Sequence, residues 1–326
     1  LGVHDQYRVG ALRYRLEDEG DFLDNRIDMA APPFTEIRSL EKASRALEQD
    51  PDNVAAKGQD WLRMLIAPGG SLGGARPKAS VADEAGRLYI AKFPSIRDTY
   101  DVGGWEMVVN ALADGCGLQV APAQARKFAS DYHCFMVSRF DRTDTGQRLH
   151  FASAMTMTGH SDGDDASTGV SYLELAEVIM GHGAQPNADL RELWSRIVFN
   201  ILVSNTDDHL RNHGFLADRG SWALSPVFDV NPQPDPHRSR STSIMGADAL
   251  PDEGEALLAL AEECSLSPAE ARERTARVVG AVAGWRDAAR RNGIREQEIT
   301  MMADSIEVRL GALVGAARGV NVASTM

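Results

Sequence analysis

Residues 190–202 place Leu190, Leu193, Trp194, Ile197, Val198, Ile201 and Leu202 at three- and four-residue intervals. This spacing predicts an α-helix with one broad apolar face, which must be buried against other elements. Directly after it the chain reads Ser204-Asn205-Thr206-Asp207-Asp208-His209-Leu210-Arg211-Asn212-His213, with two acids, two amides and two histidines in ten residues. A buried rod therefore delivers a dense set of acceptors and metal-type ligands to one place, and folding alone rarely needs so many.

The surroundings divide into a β-rich first half and a helical second half. Residues 7–15 alternate roughly and read as a strand, and residues 42–47 as a short helix ended near Asp50-Pro51. An apolar segment, 61–66, leads into Pro68-Gly69-Gly70-Ser71-Leu72-Gly73-Gly74-Ala75-Arg76-Pro77-Lys78, a loop by its glycine content. Two strands, 78–82 and 87–93, then form a hairpin through Asp83-Glu84-Ala85-Gly86. A helix is expected over 105–113, a buried strand over 132–140, and a junction between lobes at 141–147. The division expected is an N-terminal lobe over 1–141 and a helical C-terminal lobe over 142–326. In the latter, 158–169 reads as a long mobile polar loop, 172–180 as a helix, and 215–217 and 222–224 as two short strands around Asp218-Arg219-Gly220. Ser267-Pro268-Ala269-Glu270 opens a helix running to Asn292-Gly293, and a last helix covers 296–317.

At 326 residues the chain can bury a large core. Three unevenly spaced cysteines (Cys116, Cys134, Cys264) make neither a disulfide framework nor a zinc site and suit a reducing cytoplasm. The net charge of −13 argues against a broad grip on nucleic acid by this chain alone. No apolar run is long enough to cross a membrane, and no signal-peptide pattern opens the chain. The start at Leu1 suggests that an N-terminal segment precedes it.

Asp207 is followed by Asn212 five residues later and by Asp229 seventeen residues after that. Phosphoryl transfer uses an Asp that orients the accepting hydroxyl, an Asn five residues on that holds metal, and a further metal-binding Asp downstream. Asp208 is the rival base, but its interval to Asn212 is one short. A capping and turn cluster is the alternative for these residues, although it leaves Asp229 unexplained. Upstream, the Gly69–Gly74 loop can bring backbone N–H groups to a phosphate, or be a flexible surface loop. Lys92, among apolar neighbours in Tyr89-Ile90-Ala91-Lys92-Phe93, stands where kinases place the lysine for the α/β-phosphates, or else keeps its head in water at a strand edge. Glu106 on the following helix is its candidate ion partner. Ser71 is a phosphate ligand, a phosphorylation target that would repel nucleotide, or a turn serine. His209 and His213 share a helical i, i+4 spacing that could bind zinc, but lack the intervening Glu and precede Gly214. The order of glycine loop, strand Lys, helix Glu, Asp-x4-Asn and downstream Asp follows kinase logic from end to end.

At this point a family resemblance is visible. Gly70-Ser71-Leu72-Gly73-Gly74-Ala75-Arg76-Pro77-Lys78-Ala79, Ala91-Lys92-Phe93-Pro94, Arg139-Phe140-Asp141-Arg142, the run from Phe199-Asn200-Ile201-Leu202 through Asn205 to His213, and Leu224-Ser225-Pro226-Val227-Phe228-Asp229 resemble the HipA family of bacterial serine/threonine kinase toxins. The likeness covers most of residues 60–290. It implies an α+β, protein-kinase-like two-lobed fold, with ATP and Mg²⁺ as cofactors. It also implies a small DNA-binding antitoxin of the HipB type as partner, with DNA contacted only through it. Better-known members phosphorylate aminoacyl-tRNA synthetases and shut themselves off by phosphorylating the glycine-loop serine, here Ser71. By residue, Lys92 matches the ATP lysine, Asp207 the catalytic Asp, Asn212 and Asp229 the metal ligands, and His209 a nucleotide contact. Gly70, Ser71, Leu72, Gly73 and Gly74 match the phosphate loop, and Ser138 and Phe140 flank the adenine hinge. The family often has Glu where this chain has Ser138. The expected function is thus an ATP- and Mg²⁺-dependent serine/threonine kinase of the toxin type in the cytoplasm. The rivals are a catalytically silent nucleotide-binding partner in an antitoxin–DNA complex and a small-molecule kinase.

Overall fold

The structure is a computed structural model that describes residues 3–26, 30–50, 76–218 and 220–317. The glycine loop, with Gly70, Ser71, Leu72, Gly73 and Gly74, and the apolar segment 61–66 lie outside the described residues. The chain packs as two units, one of Leu1–Met107 and Ala121–Phe151, the other of Val108–Val120 and Ala152–Met326. The architecture is α+β, with antiparallel sheets and helices.

The first unit is built on a four-stranded sheet in the order β1-β2-β4-β3. Its strands are β1 Lys78–Ala82, β2 Leu88–Lys92, β3 Ala123–Arg126 and β4 Cys134–Ser138. The β1–β2 hairpin pairs Lys78 with Lys92 and Ala82 with Leu88, as the alternating sequence around Asp83-Glu84-Ala85-Gly86 demands. Asp83 completes the turn by accepting from the N–H groups of Ala85 and Arg87. Both faces of the sheet are covered. Ala79, Val81, Ala91, Phe93, Cys134 and Met136 share one core with Ile37 and Leu40 of α1 (Ile37–Gln49). Phe135 and Val137, pointing the other way, pack with Ala121, Ile90, Phe140 and Met107, the last from α2 (Val102–Gly115).

Residues 7–15 are not a strand. A 3₁₀ turn, Asp5–Tyr7, is followed by bends and a single bridge between Tyr14 and Leu23. The backbone carbonyls that a ladder would use are taken by guanidinium groups instead. Arg139 donates to Tyr7 O and Arg8 O, Arg142 to Gln6 O and Arg8 O, and Arg148 to Gly10 O. Leu12, Tyr14 and Leu16 are exposed, so the alternation has no core to face.

In the second unit the apolar helix expected over 190–202 is α5, Pro186–Leu202, preceded by α4, Tyr172–His182, and α3, Ala154–Thr158. Every apolar residue at its predicted face is buried. It packs against α4, α6 (Glu253–Glu263), α7 (Pro268–Val282) and α9 (Glu296–Ala317). The indole N–H of Trp194 donates to Leu257 O at 3.2 Å, satisfying a fully buried donor. Ser171 and Ser267 cap α4 and α7 in reciprocal boxes with Glu174 and Glu270. The single helix expected over 268–292 is broken. Its second part is α8, Trp285–Arg291, and the interruption falls at Ala283-Gly284, where glycine weakens helical continuity. Strands β6 (Gly214–Asp218) and β7 (Ser221–Leu224) form the short hairpin expected, joined by β5 (Phe151–Ser153) into a three-stranded sheet. Among the described residues no helix is long and apolar enough to cross a membrane.

Candidate active site

In the first unit, β2 ends on Lys92, whose side chain points to the same face as Phe135 across the β2–β4 pair. Its Nζ lies 2.5 Å from Glu106 Oε1, and both side chains are more than nine-tenths buried. Glu106 comes from α2. The ammonium also stands 5.9 Å from the Phe135 ring centroid, a long cation–π contact. Ser138 closes β4 half-buried opposite Tyr89, and its N–H donates to Pro122 O at 2.8 Å. Phe140 is half-buried with its ring 6.2 Å from that of Phe151. Between them Arg139 and Asp141 form a buried bidentate pair at 2.9 and 2.7 Å. Burial raises the Asp141 carboxyl, but Arg139 and Arg142 outweigh it and hold the carboxyl below its usual 3.8.

In the second unit α5 ends at Leu202, and the left-handed Ser204 (φ +58°) turns the chain out of the helix. Asn205 N donates back to Asn200 O at 2.9 Å. The two neighbouring acids then part ways. Asp207 is exposed, its carboxylate 3.6 Å from Arg238 Nη2. Asp208 is buried and saturated, accepting from the Tyr172 hydroxyl, from Asn200 Nδ2 at 2.7 Å and from His213 Nε2 at 3.0 Å. Burial pushes its carboxyl up, yet His213, Tyr172 and Arg240 together bring it below 3.8. The fully buried Tyr172 hydroxyl is driven well above 10, by burial first and then by the Asp208 charge. An acid so fully bonded is unsuited to proton exchange, which leaves Asp207 as the accessible one.

Residues 210–212 form a 3₁₀ turn, not an α-helix, so His209 and His213 do not share a helical face. His213 is buried against Asp208, and among the described residues no group of three or more His, Cys, Asp or Glu is placed to hold a metal. His209 is half-buried, and its Nδ1 is buried with no hydrogen-bond partner among the described residues. Asn212 Nδ2 donates to the Asp207 carbonyl at 3.2 Å, so the amide oxygen of Asn212 is left as an acceptor. Asp229 is half-buried with φ +58°, a backbone conformation non-glycine residues rarely hold. Its Oδ1 accepts from Asn231 Nδ2 at 3.3 Å. Sequence reasoning did not assign Tyr172, Asn200, Asn231 or Arg238. The available signal was Asn200, one amide inside an otherwise apolar helical run.

The family model of the HipA-like C-terminal domain matches residues 70–285. The chain belongs to this family. Among curated relatives, a protein of Haemophilus influenzae named "Putative kinase" is 32% identical over 167 residues, 48% of this chain and 45% of its own length. "Putative kinase Y4mE" of Sinorhizobium fredii is 26% identical over 246 residues, 68% of this chain and 54% of its own. The chain spans about half the length of the curated relatives it matches. Shewanella oneidensis MR-1 HipA, solved with HipB and its operator DNA, superposes with a TM-score of 0.58 at 18% identity, covering 77% of this chain and 65% of that one. The Helicobacter pylori proinflammatory kinase CtkA gives 0.57 at 17% identity, covering 76% and 94%. The fold of this HipA-like chain is the kinase-like one that these structures share.

Proposed function

We propose that the chain is an ATP- and Mg²⁺-dependent serine/threonine protein kinase, the toxin of a HipA-type toxin–antitoxin pair. The observation that carries this reading is the buried Lys92–Glu106 pair at 2.5 Å. Burying two opposite charges gains little stability over an apolar pair, so a fold keeps such a pair where its charge is used. In phosphoryl transfer a lysine steadied by a helix glutamate binds the α/β-phosphates. Asp207, exposed at 54% of its side chain, orients the acceptor hydroxyl and receives its proton. The amides of Gly70, Ser71, Leu72, Gly73 and Gly74 hold phosphates, Ser138 and Phe140 flank the adenine, and the unpartnered His209 Nδ1 meets the nucleotide.

The residues present suit Mg²⁺. Asn212 offers an amide oxygen and Asp229 a carboxylate, both hard oxygen donors, whereas the nearby His213 ring is occupied by Asp208. When bound, the ion neutralises charge on the phosphates. The Shewanella HipA complex with HipB and operator DNA supports a HipB-like antitoxin as partner, with DNA reached through it. The acceptor proposed is a translation component such as an aminoacyl-tRNA synthetase, in the cytoplasm, with Ser71 as the autophosphorylation site.

The test is transfer of labelled γ-phosphate from Mg-ATP to the protein itself or to a cell lysate, comparing the native chain with Asp207→Ala. We expect labelling by the native chain only, with phosphate on Ser71 by mass spectrometry. A native chain that labels neither itself nor any protein, while phosphorylating small molecules or nothing, would overturn the proposal.

A further inference from the structure

The backbone of the loop that carries Asp207 is held, carbonyl by carbonyl, by residues 233–242. Gln233 N donates to Ser204 O at 2.9 Å, Arg240 Nη1 to Asn205 O at 2.9 Å, and Ser241 N to Thr206 O at 2.9 Å. Thr242 Oγ1 donates to Asp208 O at 2.6 Å. The carbonyl of Asp207 itself receives His209 N at 3.1 Å and Asn212 Nδ2 at 3.2 Å. Every carbonyl from 204 to 208 is therefore satisfied, two of them by side chains of one neighbouring segment.

Those side chains are themselves fixed. Arg240 Nε donates to Glu253 Oε1 at 2.8 Å, and its Nη2 lies 2.7 Å from the same oxygen. Glu253, at the start of α6, accepts Arg309 Nη1 of α9 on its other oxygen at 2.8 Å. All three are at least 98% buried. Three buried charges are an expensive way to fill a core, since apolar side chains of similar volume pack as well or better. A guanidinium is warranted where its fork must reach two directions at once, here Glu253 and the Asn205 carbonyl. The Asp207 side chain, by contrast, is mostly exposed, with Arg238 at 3.6 Å, so its position is set by its backbone.

We infer that Thr242 and Arg240 are positioning residues that hold the backbone from Asn205 to Asp208, so that the Asp207 carboxylate meets the acceptor hydroxyl. This rests on the kinase reading above. The hold acts on the alignment of the carboxylate, while the nucleotide's phosphates are left to Lys92 and the glycine loop.

The test uses the full chain with Thr242→Val, which keeps shape and removes the hydroxyl, and Thr242→Ser, which restores it. We expect Thr242→Val to lower kcat by about tenfold to a hundredfold, the scale on which small misplacements act. KM for ATP stays within about twofold, because Lys92 and the glycine-loop amides proposed to hold the phosphates are untouched. Thr242→Ser returns to near wild-type kcat, and backbone amides 205–209 exchange faster with solvent in Thr242→Val alone. An unchanged kcat, a change confined to KM, an equal loss in Thr242→Ser, or unaltered exchange would each overturn the inference. Should Thr242→Val fail to fold, Arg240→Lys, which keeps the charge but loses the fork, takes its place with the same expectations. A wild-type chain inert in phosphoryl transfer sinks the kinase reading, and this is read before any variant is made.

Discussion

Lys92 and Glu106 show how a single pair separates stability from chemistry. With both side chains more than nine-tenths buried, removing one partner leaves an uncompensated charge in the core. Lys92→Met is therefore expected to cost about 3–5 kcal/mol, the usual scale for breaking a buried pair. Replacing both, as Lys92→Met with Glu106→Leu, removes the stranded charge and should recover most of that loss. Phosphoryl transfer should be lost in both variants. Urea unfolding beside an ATP-transfer assay checks this. A double variant with wild-type stability and restored transfer would show that the pair serves packing alone. Asp207 and Asp208 make the complementary point about what a motif conveys. Spacing to Asn212 favoured Asp207, and the structure adds that Asp208 is enclosed by Tyr172, Asn200 and His213. No pattern in the sequence could have brought Tyr172 to Asp208, because they are joined by the packing of α4 on α5 and by Thr242 and Ser243, which bond to Asp208 and Tyr172 respectively.

At the scale of elements, the start of α2 is stitched to the start of β4. Asp101 accepts from Gly104 N and His133 N, each at 2.9 Å, and from His133 Nδ1 at 2.5 Å. Gly103 sits in the gap this creates. A Cβ there would lie 2.1 Å from His133 O, a backbone atom that cannot step aside alone. Gly103→Ala should destabilise by about 1–3 kcal/mol, the range for overpacking, and lower the melting temperature. A melt unchanged from wild type would show that α2 and β4 can part without penalty. Because Glu106 lies one turn along α2, activity should fall with it. This contact was invisible in the sequence, where the expected helix begins only at residue 105. What was legible had strong local causes. The α5 face followed from apolar spacing, the β1–β2 hairpin from alternation and its turn, and the α7 start from Ser267-Pro268-Ala269-Glu270. What failed had its cause elsewhere in the chain. Residues 7–15 alternate like a strand, but arginines more than a hundred residues away take their carbonyls. Helix α6 and strand β3 escaped because neither shows enough periodicity on its own, and each is secured by its neighbours.

For the molecule as a whole, buried carboxylates are expected to shape the response to acid. Asp101 and Asp141 in the first unit and Asp208 in the second all have carboxyls held below 3.8. In each, burial pushes the value up, and charged or hydrogen-bonding partners more than offset it. A carboxyl that is more acidic folded than unfolded favours the folded state when ionised. That contribution is complete above the unfolded value of about 3.8 and disappears as pH falls through the lower folded value. The urea midpoint should therefore hold from neutral pH to about pH 5 and drop steeply below about pH 4. As the carboxylates are neutralised, the 34 lysines and arginines leave a growing net positive charge that adds self-repulsion in the same range, so the profile alone does not identify the groups. Asp208→Asn separates the two effects. It should be less stable than wild type at pH 7, where His213, Tyr172 and Asn200 lose the carboxylate they donate to, and the gap should narrow as pH falls below 4. Thiol reactivity reports urea unfolding at the alkaline end independently. Cys116 and Cys264 are buried with their thiols pushed up to about 12, so a thiol reagent at pH 8 should find them only after unfolding. An Asp208→Asn chain whose deficit stays constant from pH 7 to pH 3 would assign the acid transition to charge repulsion and remove Asp208 from it.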